Sequence, residues 1–140
     1  MDMKVLFICT GNTCRSPMAE GIFNFISEGA FSRGLYAEGG SASHNAIKAM
    51  EKMGIDIKNH VSTQLTKEDV DTADIVLTMT MGHKRMVLSV MPQHEGKVFT
   101  IGEYVNGEDV TDPYGGDEKA YEACAKQLYE YIEKIVEKLK

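Results

Sequence analysis

Residues 4–20 read KVLFICTGNTCRSPMAE, and this stretch is the most informative part of the sequence. Residues 5–8 form a short apolar run that suits a buried parallel strand, although it could also be a helix fragment. Ser16 and Pro17 predict a helix start, because serine is a favoured N-cap and proline fits the first helical position. The stretch is therefore predicted to fold as a strand, a tight loop and a helix, and the N–H groups of such a loop converge on an anion.

The side chains of this loop suit a tetrahedral oxyanion with a thiol placed to attack it. Cys9 faces a helix N-terminus and a guanidinium, and both favour its thiolate form. Arg15 offers a planar fork of donors that matches two phosphoryl oxygens. Gly11 permits a positive φ or a close backbone approach, while Asn12 can fix the loop and Ser16 can donate to the thiolate. The pattern predicts a phosphatase that works through a phosphocysteine.

Other chemistries fit the loop less well. A lone cysteine at a strand end is usually a small buried hydrophobe, but here a glycine, an arginine and a helix start surround it. Cys9 and Cys14 lack the second Cys or His pair that would complete a tetrahedral metal site. A Walker nucleotide-binding run is absent from the sequence. We therefore expect catalysis without a metal or any other cofactor.

A second motif, VTDPYGG at residues 110–116, offers a general acid. A leaving group must be protonated as the P–O or P–N bond breaks, and Asp112 is the best candidate. Pro113 and the paired glycines impose a fixed, non-helical loop around it. An aspartate before proline is often only a turn residue, so this assignment depends on the cysteine loop.

Together, the two motifs resemble the low-molecular-weight protein tyrosine phosphatase family, and the similarity extends over essentially the whole chain. The resemblance is strongest to a bacterial branch of protein-arginine phosphatases, which shares the run CTGNTCRSPMAE at residues 9–20. It implies that Cys9 attacks phosphorus and that Arg15 clamps the equatorial oxygens. Asp112 would protonate the leaving group and then act as a base when water hydrolyses the phosphocysteine.

The resemblance also implies supporting roles around the loop. Asn12, Ser16 and His60 would belong to the network that stabilises the thiolate. Cys14 would form a reversible disulfide with Cys9, which would make the enzyme redox-sensitive. The residues expected to bind the substrate or its phosphate are Thr10, Gly11, Asn12, Thr13, Cys14, Ser16 and Tyr114.

Thr13 is the position expected to select the substrate. Tyrosine-selective members commonly carry an aliphatic residue there, and the arginine-selective branch carries threonine. A hydroxyl could hydrogen-bond a guanidinium or orient water, but Thr13 could equally satisfy its own backbone. The chain departs from the family at residues 38–43, a short loop in which Ser41 either replaces the usual serine contact to the phosphate loop or leaves it unmade.

The pattern of the whole chain predicts an α/β fold in one domain, residues 1–140, with an open parallel sheet of about four strands. Helices would cover both faces, and the phosphate-binding loop would follow strand 1. Strands are predicted at residues 4–9, 35–38, 75–78 and 97–101, and helices at residues 17–28, 43–53, 67–73, 82–91 and 117–140. The methionines at positions 79, 81, 86 and 91 are predicted to fill the core.

Composition excludes several classes of partner. A net charge of −6 argues against a nucleic-acid partner. The absence of a long apolar run or a signal peptide argues against a membrane, and three cysteines do not form a secreted disulfide scaffold. We expect a bacterial, cytoplasmic enzyme that acts on phosphorylated proteins and releases inorganic phosphate.

Three functional hypotheses follow, and the first is favoured. It is a cysteine phosphatase for phosphorylated side chains, with phosphoarginine preferred to phosphotyrosine. The second is a thiol-based arsenate reductase, which would need resolving cysteines near a mobile segment, whereas Cys124 lies in the predicted last helix. The third is a phosphoprotein-binding module, which would need neither the nucleophile Cys9 nor the acid Asp112.

Overall fold

A computed structural model describes residues 3–140, whose four strands form one parallel sheet in the order β2-β1-β3-β4. The strands are β1 (Val5–Cys9), β2 (Ala30–Gly34), β3 (Ile75–Thr78) and β4 (Val98–Thr100). Because β1 pairs with β2 on one side and with β3 on the other, the order of strands reverses at β1. Ligands of open α/β sheets bind at the carboxyl ends of the strands beside such a switch point.

Within residues 3–140, six α-helices cover the two faces of this sheet. They are α1 (Arg15–Ile26), α2 (His44–Lys52), α3 (Lys67–Thr72), α4 (Met81–Val90), α5 (Ile101–Tyr104) and α6 (Glu118–Leu139), with a 3₁₀ helix at Pro92–Lys97. Side chains of β1 alternate between two cores, since successive strand residues point to opposite faces. Phe7 packs in the larger core with residues of α1, α2 and α6, and Leu6 packs in the smaller core with residues of α3 and α4. The predicted open parallel sheet with helices on both faces is confirmed.

The second strand lies earlier than predicted. The sequence indicated residues 35–38, but β2 spans Ala30–Gly34. The sequence of β2 does not have the apolar pattern of a strand. β2 is an edge strand in which Ser32 is buried and Arg33 pairs with Asp69 at 3.1 Å. Leu35 continues past the strand and donates its N–H to the carbonyl of Cys9.

Helix α1 begins differently from the prediction. Its N-cap is Cys14, with no side-chain capping bond, and the helix starts at Arg15. Ser16 is therefore inside the first turn instead of capping it, and its hydroxyl lies 2.9 Å from the Cys9 sulfur. Pro17 is still tolerated, because the first helical residues have N–H groups without intrahelical partners.

The methionine prediction holds for two residues and is wrong for two. Met79 and Met91 are buried, whereas Met81 and Met86 are each 40% exposed. Both exposed residues belong to α4, which buries His83 and Val87 instead. Within residues 3–140, no helix is both long and apolar enough to cross a membrane.

Candidate active site

The loop at residues 9–15, here called the cysteine loop, follows the carboxyl end of β1 and holds the Cys9 sulfur between two donors. The N–H of Asn12 donates to Cys9 Sγ at 3.3 Å, and Ser16 Oγ lies 2.9 Å from the same sulfur. Asn12 itself takes the left-handed conformation, with φ of 58°. Asparagine tolerates this region better than most residues, so the positive φ considered for Gly11 falls one residue later.

The Asn12 side chain fixes the direction of the hydrogen bonds around the sulfur. Its Oδ1 accepts from the N–H of Thr63 at 2.9 Å, so its Nδ2 must be the atom that donates to Ser16 Oγ at 2.8 Å and Ser32 Oγ at 3.0 Å. Because Ser16 Oγ already accepts a proton, its own proton is free to point at Cys9 Sγ. Two donors therefore converge on the sulfur.

Further contacts hold the backbone of the cysteine loop from outside. His60 Nε2 donates to the carbonyl of Asn12 at 2.8 Å, and Ser62 Oγ donates to the carbonyl of Gly11 at 2.8 Å. The N–H of Ser43 donates to the carbonyl of Thr13 at 2.8 Å. Ser41, considered for such a contact, instead pairs with Val61 in an isolated β-bridge. The short loop of residues 38–43 thus still supports the site, through Ser43.

Arg15 joins the cysteine loop to the loop at residues 110–116, here called the acid loop. Its side chain is buried, Nη1 donates to the carbonyl of Val110 at 3.0 Å, and Nη2 lies 3.5 Å from Asp112 Oδ2. One cavity of about 330 Å³ lies where the two loops meet. It is lined by Cys9, Thr10, Gly11, Thr13, Cys14, Arg15, Asp112 and Tyr114.

Two residues expected to bind phosphate lie behind this cavity instead of lining it. The side chains of Asn12 and Ser16 are fully buried, and both take part in the network around the Cys9 sulfur. A larger groove of about 490 Å³ lies between α1 and residues 54–60, but it includes neither Cys9 nor Arg15. The smaller cavity is therefore the candidate active site.

The acid loop has an exposed tip, although its Val110 and Pro113 are buried. Asp112 Oδ1 accepts from the N–H of Tyr114 at 3.0 Å, and the N–H of Gly116 donates to the carbonyl of Pro113 at 2.8 Å. Gly115 has a φ of +81°, which glycine adopts without strain. The Asp112 side chain is 54% exposed and Tyr114 is 73% exposed. Both residues therefore lie at the mouth of the cavity.

The other two cysteines differ from Cys9 in their surroundings. Cys14 is a buried free thiol, and its sulfur lies 3.4 Å from Tyr121 Oη. Burial and this contact raise the pKa of Tyr121 to about 12, so the phenol stays neutral. Burial also raises the pKa of the Cys124 thiol to about 12. Cys124 is thus a poor nucleophile and a poor resolving cysteine for an arsenate reductase.

His83 is a residue near the site that the sequence did not single out. It is 7% exposed, and its Nε2 lies 2.9 Å from Thr10 Oγ1. Burial and the nearby Arg15 lower its pKa to about 4, so the ring is neutral at neutral pH. One signal could have found it, because His83 follows β3 at the edge where β1 ends in the cysteine loop.

Acidic, histidine and cysteine side chains do not gather elsewhere into a cation site. Among residues 3–140, the structure has no group of three or more such side chains that could hold a metal ion.

Comparison with known proteins agrees with the geometry of the site. The family model described as low molecular weight phosphotyrosine protein phosphatase matches residues 4–140. A protein-arginine-phosphatase of Bacillus subtilis (strain 168) is 41% identical over 147 residues, covering 99% of this chain and 97% of its own length. The low molecular weight protein-tyrosine-phosphatase PtpB of Staphylococcus epidermidis is 38% identical over 137 residues, covering 95% and 96% of the two chains.

Solved structures give the same result. The YwlE arginine phosphatase from Geobacillus stearothermophilus superposes with a TM-score of 0.93 at 38% identity, covering 98% of this chain and 92% of its own. A low molecular weight protein tyrosine phosphatase from T. tengcongensis gives a TM-score of 0.92 at 46% identity, covering 97% and 99% of the two chains. The chain therefore belongs to the low molecular weight phosphotyrosine protein phosphatase family.

Proposed function

We propose that this enzyme, a low-molecular-weight cysteine phosphatase by family, hydrolyses phosphoarginine in proteins through a phosphocysteine on Cys9. The observation that carries the proposal is one cavity that combines a sulfur held by two donors, a buried arginine and an exposed carboxylate. These three groups are what a nucleophile, an oxyanion clamp and a general acid require. The family match over residues 4–140 supports a single catalytic domain.

The first step transfers the phosphoryl group to sulfur. The Cys9 thiolate attacks phosphorus, the P–N bond breaks, and the electron pair leaves with the guanidine nitrogen. Asp112 gives its proton to that nitrogen, so that the arginine side chain is released as a guanidinium instead of an unprotonated base. The Arg15 guanidinium stabilises the negative charge that develops on the phosphoryl oxygens, and its buried position makes this interaction stronger than it would be in water.

The second step hydrolyses the phosphocysteine. Asp112, now a carboxylate, takes a proton from water, and the oxygen attacks phosphorus. The P–S bond breaks, inorganic phosphate forms, and the sulfur leaves as a thiolate. The Ser16 hydroxyl and the Asn12 N–H, which lie 2.9 Å and 3.3 Å from the sulfur, stabilise that leaving group.

Thr13 supports phosphoarginine as the substrate. It lines the cavity and is only partly buried, so its hydroxyl can accept from a guanidinium N–H. Relatives named protein-arginine-phosphatase and arginine phosphatase are consistent with this choice.

Phosphotyrosine is the second candidate substrate, with the same mechanism. The exposed ring of Tyr114 lies at the mouth of the cavity, where it could pack on a phenol ring. Relatives named protein-tyrosine-phosphatase are 38% identical to this chain. We propose for either substrate that the enzyme works in a reducing bacterial cytoplasm, because its nucleophile is a free thiol.

The test compares two peptides of the same sequence, one with phosphoarginine and one with phosphotyrosine, using reduced protein in a chelator. We expect a higher kcat/KM for phosphoarginine, no turnover by Cys9→Ser, and retained binding of inorganic phosphate by that variant. Cys124→Ala is the matched control, because it removes a buried thiol that does not line the cavity, and it should keep full activity. Turnover by Cys9→Ser would refute the mechanism, and a preference for phosphotyrosine would refute the substrate.

A further inference from the structure

His83 reaches the cysteine loop from a neighbouring strand connection. It lies in the first turn of α4, where its N–H donates to the Thr80 hydroxyl that caps the helix, at 3.2 Å. Since β3 lies beside β1 in a parallel sheet, the turn after β3 adjoins the loop after β1. The same turn contacts the acid loop, because the N–H of Val110 donates to the carbonyl of Met79 at 3.0 Å.

The imidazole contacts the residue that follows the candidate nucleophile. His83 Nε2 lies 2.9 Å from Thr10 Oγ1, and Thr10 lines the cavity beside Cys9. The carbonyl of Thr10 accepts from the N–H of Tyr36 at 2.9 Å. The backbone of Thr10 is thus held from the β2 side of the sheet and its side chain from the β3 side.

The surroundings of His83 Nδ1 indicate that position 83 is a histidine because of the contact with Thr10, and not because of packing. His83 Nδ1 is buried and has no hydrogen-bond partner among the described residues. A buried polar atom without a partner is unfavourable, so an apolar side chain would fill the position more favourably if packing were its only role. Unlike an apolar side chain, a histidine at this position can form the hydrogen bond from Nε2 to Thr10.

The charges around His83 suit this contact. Arg15, Asp109 and Asp112 are the charged groups that act on the ring, and burial with Arg15 keeps it neutral. A neutral imidazole can bond the Thr10 hydroxyl as donor or acceptor, depending on its tautomer. It also does not compete with Arg15 for the Asp112 carboxylate, which lies 3.5 Å from that guanidinium.

We propose that His83 is a positioning residue of the phosphatase: by bonding Thr10 through Nε2, it holds the cysteine loop in the geometry that binds the phosphoryl transition state. This inference rests on the proposed function, because it assigns Thr10 to the wall of the phosphate site. It predicts that His83 acts only through Thr10 and that the ring nitrogen in contact with Thr10 carries the effect.

The test replaces His83 with three side chains and measures turnover of p-nitrophenyl phosphate, which does not depend on the choice between arginine and tyrosine. The glutamine amide reaches about as far as Nε2, the shorter asparagine amide reaches only the position of Nδ1, and phenylalanine keeps the ring volume. We expect His83→Phe and His83→Asn to lower kcat about tenfold, with KM little changed, as for the loss of one net hydrogen bond. Inhibition by orthovanadate should weaken by the same factor, and His83→Gln should restore both quantities.

Thr10→Val supplies the second half of a double-mutant cycle and keeps the test decisive if a His83 variant does not fold. The Thr10 side chain is exposed, so this variant should fold, and it should lose as much kcat as His83→Phe. The double variant should lose no more than either single one. His94→Gln is the matched control, because His94 pairs with Asp71 away from the cavity, and it should keep full activity.

Several results would overturn the inference. They are full activity in folded His83→Phe or in Thr10→Val, additive losses in the double variant, and equal activity of the glutamine and asparagine variants. A failure of the proposed function would look different, because wild-type protein would then show no turnover that depends on Cys9.

Discussion

The two loops that line the cavity are held in different ways. The cysteine loop is buried and braced from many parts of the chain, since Asn12 alone bonds Ser16, Ser32 and Thr63. The acid loop is anchored at the buried Val110 by Arg15 and by the carbonyl of Met79, but its tip is exposed and is held by its own turn and the Arg15 ion pair, with Asp112 54% exposed. The nucleophile is therefore fixed by the fold, whereas the acid depends on a local turn and one ion pair. Changes in the first loop should cost stability as well as activity, and changes in the second should cost activity alone.

Asp112→Asn tests the acid loop and should give the largest effect. The amide cannot donate the proton, so kcat should fall about 10²- to 10⁴-fold, the usual contribution of general acid catalysis. The free energy of unfolding should change by less than about 1 kcal/mol, because the ion pair with Arg15 is partly exposed. Aryl phosphates with graded leaving groups provide the measurement, and the poorest leaving groups should lose most.

The control for this prediction is Asp109→Asn. Asp109 is also exposed and accepts from the N–H of Met81, but it does not line the cavity. Its replacement should leave kcat close to the wild-type value. An equal loss for all leaving groups in Asp112→Asn would mean that Asp112 has a structural role.

Asn12→Ala tests the cysteine loop and should lower stability and activity together. It removes one hydrogen bond from the Ser16 hydroxyl, one from the Ser32 hydroxyl and the acceptor of the Thr63 N–H in a buried network, which should cost about 2–4 kcal/mol in the free energy of unfolding. Denaturant unfolding and kcat/KM are the two measurements. Asn24→Ala is the control, because the Asn24 side chain makes its two hydrogen bonds on an exposed surface. Equal stability losses in the two variants would contradict the contrast between the loops.

Thr13→Ile tests whether the wall of the cavity selects the substrate. Loss of the hydroxyl should lower the ratio of phosphoarginine to phosphotyrosine turnover about tenfold, as for one net hydrogen bond. Thr63→Ile makes the same change outside the cavity and should leave the ratio unchanged. An unchanged ratio in Thr13→Ile would mean that another residue selects between phosphoarginine and phosphotyrosine.

The pH dependence of the free energy of unfolding tests the buried His83 beside the cysteine loop, and it should show the smallest effect. The pKa of His83 is about 4 in the folded protein and near 6.5 in the unfolded chain, so folding releases a proton between these values. The free energy of unfolding should therefore rise with pH through this window and lose about 1–2 kcal/mol as pH falls from 6.5 to 4, allowing for solvent screening. Comparison of wild type with His83→Gln isolates the contribution of His83 to this pH dependence. Identical curves for the two proteins would contradict it.

The sequence predicted the parts of the site that are contiguous in the chain. Cys9 and Arg15 lie within one loop between a strand and a helix, and Asp112 is marked by the proline and glycines that follow it. Strand β3 was also predicted with its observed bounds, because its four residues are apolar or β-branched and all are buried. These segments could be predicted because the residues that determine their structure are neighbours in the sequence.

The residues that sequence reasoning missed come from distant segments. Ser32 and Ser62 reach the cysteine loop or its Asn12 from parts of the chain that the sheet topology brings together. His83 reaches it from the turn after β3. Single polar residues of this kind carry no local signal, because their meaning depends on which strands are neighbours. The polar edge strand β2 was misplaced for a related reason, since its buried Ser32 does not look like a core residue.

Trapping the phosphorylated enzyme tests directly whether Cys9 forms a phosphocysteine. Asp112→Asn protein should be mixed with p-nitrophenyl phosphate, whose leaving group departs without a general acid, quenched within milliseconds, and analysed by intact-mass and peptide-mapping mass spectrometry. Without a base to activate water, the intermediate should accumulate, and the phosphoryl group should map to Cys9. Cys9→Ser protein bearing the Asp112→Asn change should show no thiol-linked phosphate. A phosphoryl group on another residue, or release of p-nitrophenol without any phosphorylated protein, would contradict the phosphocysteine mechanism.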